Sequence, residues 1–438
     1  MRTIRHYIFL LLFLSSAPLC AVLEDDRPLT LCELVDIALS NHPFTKQAWW
    51  NANRAAATVG VARSLYYPQA SLEGLAINGR DFKFINGPDT SYTILGADLF
   101  LSLLLYDFGG RESALNMAKA SLVAANWQVD AAIQKVMIRV LENAYAVLYA
   151  QDVLQAAEDS LRDAEKVLMA ARELNRTGLT PVSDVYTTQS TFSQMKMDLT
   201  QQTAALDIQR GKLAASLGLP ACTPVSVASI EFAPCDHIEE TDKLIAIALA
   251  QRADLMAKQA QLQATLFNKT RVRADYFPSL SFNGRGGFNH ALHDKANSAQ
   301  YQVSLNLDIP LFNGFDTLYR QREAYADSQI STEELMELQI DISLEVLTHS
   351  RSLKAAREML PDAEENRLNA LKAYEGALEK YKAGKERIAE VSIAQRQLAA
   401  ARVRYSDVKI KQLVATANLA YATGTLAPYM ETSCEDNR

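Results

Sequence analysis

Between Arg111 and Thr177 the chain contains neither Gly nor Pro, and no other stretch limits the fold so strongly. One helix over that span is about 100 Å long at ~1.5 Å per residue, too long to be buried inside a compact globule. Its apolar residues repeat in sevens. Leu115, Leu122, Val129 and Val136 recur with Ala118, Ala125 and Ala132 three places after each; then Val140, Val147, Leu154, Leu161 and Leu168 recur with Asn143, Ala150, Ala157, Ala164 and Ala171. That is a coiled-coil seam in which large residues alternate with small ones, so backbones approach closely. The step from Val136 to Val140 is a four-residue stutter, which locally unwinds a left-handed supercoil.

The pattern is written twice. Ile37-Ala38-Leu39 returns as Ile247-Ala248-Leu249 and Tyr66-Tyr67-Pro68 as Tyr276-Phe277-Pro278, both 210 positions on. Gly178 matches Gly384, Val185 matches Val391, Gln189 matches Gln395 and Gly218 matches Gly424, all 206 positions on. The small partners of the seam return as Ala356, Ala363, Ala370 and Ala377. The spacing predicts a first repeat at 22–218, a linker at 219–240 holding Pro220, Pro224 and Pro234, a second repeat at 241–428 and a tail at 429–438. Each repeat reads as helix, hairpin, long helix, long helix. The long helices fall at about 112–176, 181–217, 316–382 and 387–424, joined at "NRTGLTPVSD" (175–184) and "YKAGKERIAE" (381–390). Pro361 is expected to kink the third of them, because periodicity resumes at once beyond it.

Strands are expected at about 70–78, 92–106, 279–288 and 299–311. The last alternates cleanly, with Tyr301, Val303, Leu305, Leu307, Ile309 and Leu311 on one face and Gln302, Ser304, Asn306 and Asp308 on the other. In the third, Leu280, Phe282, Gly284, Gly286 and Phe288 oppose Ser279, Ser281, Asn283 and Arg285. Strands of this length with one apolar and one polar face suit either a sheet over a soluble core or a transmembrane barrel with lipid outside and water inside. Each hairpin leads straight into a long helix, leaving no second layer for its apolar face. Four strands cannot close a barrel, so two or three copies must combine.

Residues 1–21 read as a secretory signal: Arg2 and Arg5, an apolar run from Ile8 to Leu14, then small residues ending at Ala21. Cys20 follows a poor lipobox, Ala17-Pro18-Leu19. No later segment holds the ~18 consecutive apolar residues of a spanning helix. The formal net charge of −7 and the lack of a basic stripe argue against nucleic acid. Without Cys20 the cysteines number four, in an oxidising compartment, and Cys222 with Cys235 and Cys32 with Cys434 are candidate bridges. His290, His293 and Asp294 lie together in a polar loop, where solvation is the ordinary state. No phosphate-cradling glycine loop and no catalytic constellation is present, so neither a cofactor nor enzymatic activity is expected.

The doubled layout, "LYDFGG" (105–110), "PLFNG" (310–314), "LPDAEEN" (360–366) and "YKAG" (381–384) together resemble the TolC-like outer membrane efflux proteins over nearly the whole chain beyond the signal. The resemblance implies a homotrimer in the bacterial outer membrane. Twelve strands would form a barrel in lipid, and long helices would form a tunnel through the periplasm. It further implies a periplasmic adaptor and an inner membrane pump, as in tripartite efflux or type I secretion, docking at tip turns that hold Gly178 and Gly384. A non-conducting periplasmic or surface coiled-coil scaffold is the competing reading. By the motif match Tyr381 falls on the family's linking tyrosine, with Ser183 and Asp184 opposite it, and Glu390 on the first of two aperture acids. The linking arginine is expected where Glu386 stands, with Arg387 one place on, and the second aperture acid is replaced by Ile393. A Tyr381–Asp184 hydrogen bond would contribute about 1.5–3 kcal/mol if shielded from water.

Overall fold

The computed structural model describes residues 27–81, 90–228, 240–292 and 296–435. Residues 1–21 with Cys20 among them, Cys235, His293 and Asp294 lie outside that set. The fold is mainly α with one four-stranded sheet. In order the elements are α1 (Leu31–Asn41), α2 (Pro43–Ser64), β1 (Gln69–Asp81), β2 (Thr90–Tyr106), α3 (Gly110–Arg176), α4 (Val182–Ser216), α5 (Thr241–Gln251), α6 (Ala253–Ala274), β3 (Ser279–Ala291), β4 (Ala296–Asp308), α7 (Asp316–Lys382), α8 (Ile388–Ala422) and α9 (Leu426–Glu435).

The duplication reaches the length of each helix. α1 and α5 have 11 residues, α2 and α6 have 22, α3 and α7 have 67, and α4 and α8 have 35. A single helix is expected from the sequence ahead of each hairpin; two are present. In the first repeat Pro43 starts α2 and holds His42 extended, at φ −65° and ψ 127°. In the second no proline follows Arg252, which takes φ −66° and ψ 124° and is buried. Its guanidinium donates to Glu345 and to the Ala422 carbonyl, so the side chain holds the break. The opposite ends of α4 and α8 close on these breaks: a Cβ on Gly218 would stand 2.9 Å from the His42 Cα, and one on Gly424 3.3 Å from the Arg252 nitrogen.

Two further boundaries differ from expectation. β4 begins earlier and ends at Asp308, leaving Ile309 and Leu311 outside it, because Pro310 has no N–H to continue a ladder. α7, with Pro361 inside it, spans the expected Asp316–Lys382. Across the expected end of the second repeat and into the tail, α9 places Leu426 and Met430 in a core with Leu34, Ala38, Val140, Leu141, Tyr145, Val147, Leu213 and Leu217. The linker joins that core too: Leu29 bridges Val227 in parallel, and Val225 is buried.

By contact density the chain forms two compact units, each drawn from both repeats. One comprises Met1–Gln47, Asp130–Arg252 and Ile340–Arg438 and contains both apolar cores. The other comprises Ala48–Val129 and Ala253–Gln339 and contains the sheet. In the first unit the stutter is visible as burial: Val136, Val140, Val147, Ala164, Leu168 and Ala171 are all inside.

Candidate functional site

The strands run antiparallel in the order β1-β2-β3-β4, and among the described residues no strand pairs with the outer edge of β1 or β4. Register aligns Ala76, Leu95 and His290 on one face, then Leu72, Leu99, Gly286 and Tyr301, then Ala70, Leu101, Gly284 and Val303. This face is bare: Tyr301 is 89% exposed, Leu72 74% and Val303 66%. The opposite face carries Glu73, Asp98, Arg285, Asn283, Gln302, Ser304 and Asn306. An apolar face this exposed is suited to lipid, and a polar one to water. β1 gains its place by register rather than by its own alternation, which Gly74, Ala76 and Ile77 blur.

Aromatic residues crowd the helix-side ends of the strands. Tyr66, Tyr67, Tyr106, Phe108, Tyr276, Phe277, Phe312 and Phe315 are all exposed, and Phe108 stacks on Phe277 with ring centroids 5.2 Å apart. Such a belt belongs at a membrane–water boundary, where an apolar ring and a polar tip are both accommodated. Phe108, in the LYDFGG motif, and Phe315, directly after PLFNG, both take positive φ, 49° and 67°. Asp107 caps α3 by accepting from the Arg111 backbone N–H at 2.6 Å. The Arg111 guanidinium reaches back to the carbonyls of Leu104 and Leu105, at 2.5 and 2.8 Å, and lies over the Tyr66 ring. Strand and helix are thereby latched at one corner.

At the other ends of α3 and α7 the turns are the same in both repeats. Gly178 (φ 78°) donates to Asn175 O and Leu179 to Leu174 O; Gly384 (φ 70°) donates to Tyr381 O and Lys385 to Lys380 O. Both are left-handed helix caps of the Schellman type. Nothing stands within 4 Å of a Cβ at either glycine, so the obstacle to a side chain there is backbone strain, about 1–2 kcal/mol.

A small core closes this tip: Val167, Ala171 and Leu174 of α3, Tyr374, Leu378 and Tyr381 of α7, and Val391, Ala394 and Leu398 of α8. Tyr381 is 1% exposed, and its hydroxyl, like that of Thr180, is buried without a hydrogen-bond partner. Burial first, and then the Asp184 carboxylate, hold the phenol pKa above its ordinary value. No hydrogen bond of ordinary geometry joins Tyr381 to Asp184, which stands partly solvated in the first turn of α4, near enough for its carboxylate to act on the phenol. Ser183, Arg387 and Glu390 are exposed. Glu386, where the linking arginine is expected, lies 4.0 Å from Lys380, and Ile393 is exposed.

The strongest polar link at this end is one that the sequence pattern does not reveal. Asp163 of α3 is buried; its Oδ2 accepts from Arg402 of α8 at 2.9 Å, its Oδ1 from Lys166 at 3.1 Å, and its backbone carbonyl from the Tyr374 hydroxyl of α7 at 3.2 Å. Burial, with Asp163 beside it, pushes the Tyr374 pKa strongly upward, so the phenol remains a donor. Three helices from both repeats thus meet on one aspartate. Among the described residues no cluster of metal-ligating side chains occurs, and His290 faces Asn297 at 2.6 Å. Cys32 and Cys222 each take part in a disulfide.

The chain matches the family described as outer membrane efflux protein over residues 34–219 and 244–425. It is 28% identical to the protein CyaE of Bordetella pertussis over 335 residues, covering 75% of this chain and 70% of that protein. It is 23% identical to the outer membrane protein TolC of Vibrio cholerae, covering 91% of each. The fold is that of the Campylobacter jejuni CmeC outer membrane channel, with a TM-score of 0.81, 18% identity, and coverage of 93% of this chain and 89% of that one.

Proposed function

Because the chain belongs to the outer membrane efflux protein family, matched over most of both repeats, we propose that three copies close its open sheet into one conduit through the outer membrane. The protein is an outer membrane channel, the outer component of a tripartite efflux or secretion system, and it extends into the periplasm. Its family is one of channels rather than enzymes. The observation that carries the trimeric reading is the sheet, with two edges unpaired among the described residues, an exposed apolar face and a polar face behind it. Three copies give twelve strands in lipid, with the polar faces lining water, while the long helices wall a periplasmic tunnel. Crosslinking of the detergent-extracted protein should give trimers that conduct in a planar bilayer. Monomers alone would remove this reading.

The partners are a periplasmic adaptor and an inner membrane pump. The tip turns at Gly178 and Gly384 are the docking elements, since they cap the helix ends farthest along the chain from the hairpins. Gly178→Val or Gly384→Val should reduce co-purification with the adaptor while trimers persist; undiminished recovery would count against docking at these turns. Cys222 with Cys235 and Cys32 with Cys434 complete the proposal as the two bridges.

The gate lies in the same tip. In the closed state the buried Tyr381 hydroxyl donates a hydrogen bond to the Asp184 carboxylate, flanked by Ser183 and Arg387, and the Glu390 carboxylates of three copies gather around the axis. Tyr381→Phe with Asp184→Ala should raise conductance, and Glu390→Ala should weaken cation selectivity. No change in either quantity would place the gate elsewhere.

A further inference from the structure

A row of charge crosses the polar face near the middle of the sheet. Glu73 of β1 pairs in register with Asp98 of β2, Asp98 with Gly287 of β3, and Gly287 with Gln300 of β4. Gly287 has no side chain, and the Asp98 carboxylate occupies the space where its Cβ would stand. From the neighbouring row Arg285 donates to Asp98 Oδ2 at 2.6 Å, with its guanidinium 5.0 Å from the Phe100 ring centroid. The Asp98 side chain is 4% exposed, yet its Oδ1 has no hydrogen-bond partner. One step along, Asn289 lies over Gly96 with its Oδ1 likewise buried and unpaired. The carboxylate is therefore held by Arg285 through one oxygen and buried against Gly287 with the other.

Stability alone does not account for this arrangement. An ion pair with a partly exposed arginine contributes little to folding, and a bare buried oxygen costs free energy. The charge is also unbalanced. Among the described strand side chains the polar face carries Glu73, Asp98 and Asp308 against Arg285. Glu73 is exposed and within electrostatic reach of that same arginine.

We propose that the Glu73–Asp98–Arg285 row is a charge filter in the barrel. The exposed Glu73 carboxylate, with the buried charge of Asp98 behind it, draws cationic groups of permeants to one level of the lumen, and Arg285 limits how strongly it does so. The inference rests on the channel reading above, which puts this face against water. It assigns the barrel a share of the selectivity, separate from the tip.

The test is the ratio of potassium to chloride permeability, taken from reversal potentials of the purified full chain in planar bilayers under a salt gradient. Recording in both the unaltered protein and a Glu390→Ala background prevents charges at the tip from masking the barrel. Glu73→Gln should lower the ratio at least about twofold and Arg285→Gln should raise it by a similar factor, since charge lining a narrow aqueous path multiplies local counter-ion concentration. Glu73 is exposed and is not the anchor of Asp98, so its variant carries the test even where Arg285→Gln impairs insertion by stranding that carboxylate. Ratios unchanged in a conducting protein overturn the filter and leave the channel reading standing. An unaltered protein that never conducts overturns both.

Discussion

Val303→Arg should abolish insertion of the trimer into the outer membrane, while Ser304→Arg, one residue further on, should leave it nearly intact. Val303 lies near the middle of β4 on the bare apolar face, beside Gly284 and Leu101 in register. Ser304 faces the other way, paired with Asn283 on the polar side. An arginine on the lipid face near the bilayer midplane costs about 2–4 kcal/mol per chain, against little or nothing in a water-filled lumen. Each ~1.4 kcal/mol is tenfold, so even the lower figure disfavours insertion about thirtyfold per chain before three copies are combined. The readout is the heat-resistant trimer recovered from outer membranes. Equal recovery of both variants would show that the apolar face does not meet lipid, and equal loss would show that β4 tolerates no charge on either side.

This contrast is legible in the amino-acid sequence, because a period of two fixes which neighbours share a face once a strand is granted. So are the helix–turn joints, since Gly178 and Gly384 stand at matching places in a duplicated pattern and both adopt the positive φ that closes a Schellman cap. Boundaries governed by a single residue type are legible in principle: Pro310 ends β4 and Pro43 opens α2. The break at Arg252 is not, because it depends on Glu345 and the Ala422 carbonyl, far away in the chain. The same holds for the polar links. Asp98 meets Arg285 across 187 positions and Asp163 meets Arg402 across 239. Periodicity says which face a side chain is on, but nothing in it says which distant charge faces it. An aspartate next to a largely apolar seam is the one available signal, and Asp163, between Leu161 and Ala164, carries it.

That aspartate supports the second large effect, which concerns the helices rather than the sheet. Arg402→Met removes the donor to Asp163 Oδ2 and leaves a buried carboxylate with only Lys166, whose side chain is 62% exposed and in water's reach. Breaking a buried pair from one side costs about 3–5 kcal/mol, because the remaining charge must be desolvated without its partner. The lower end applies here, since Lys166 and the Tyr374 hydroxyl stay in place. Replacing both members, Asp163→Leu with Arg402→Met, removes the stranded charge and should restore most of the loss, as apolar substitutes for buried pairs commonly do. Amide hydrogen exchange reads the effect locally. In Arg402→Met the amides of 160–176 and 395–405 should exchange roughly a hundredfold faster, while those of β2 and β3 keep their wild-type rates. In the double variant the first set should slow again toward wild type. Exchange that stays fast in the double variant would mean that the three helices need the ionic link itself, and not merely the absence of an unpaired charge, to hold the tip together.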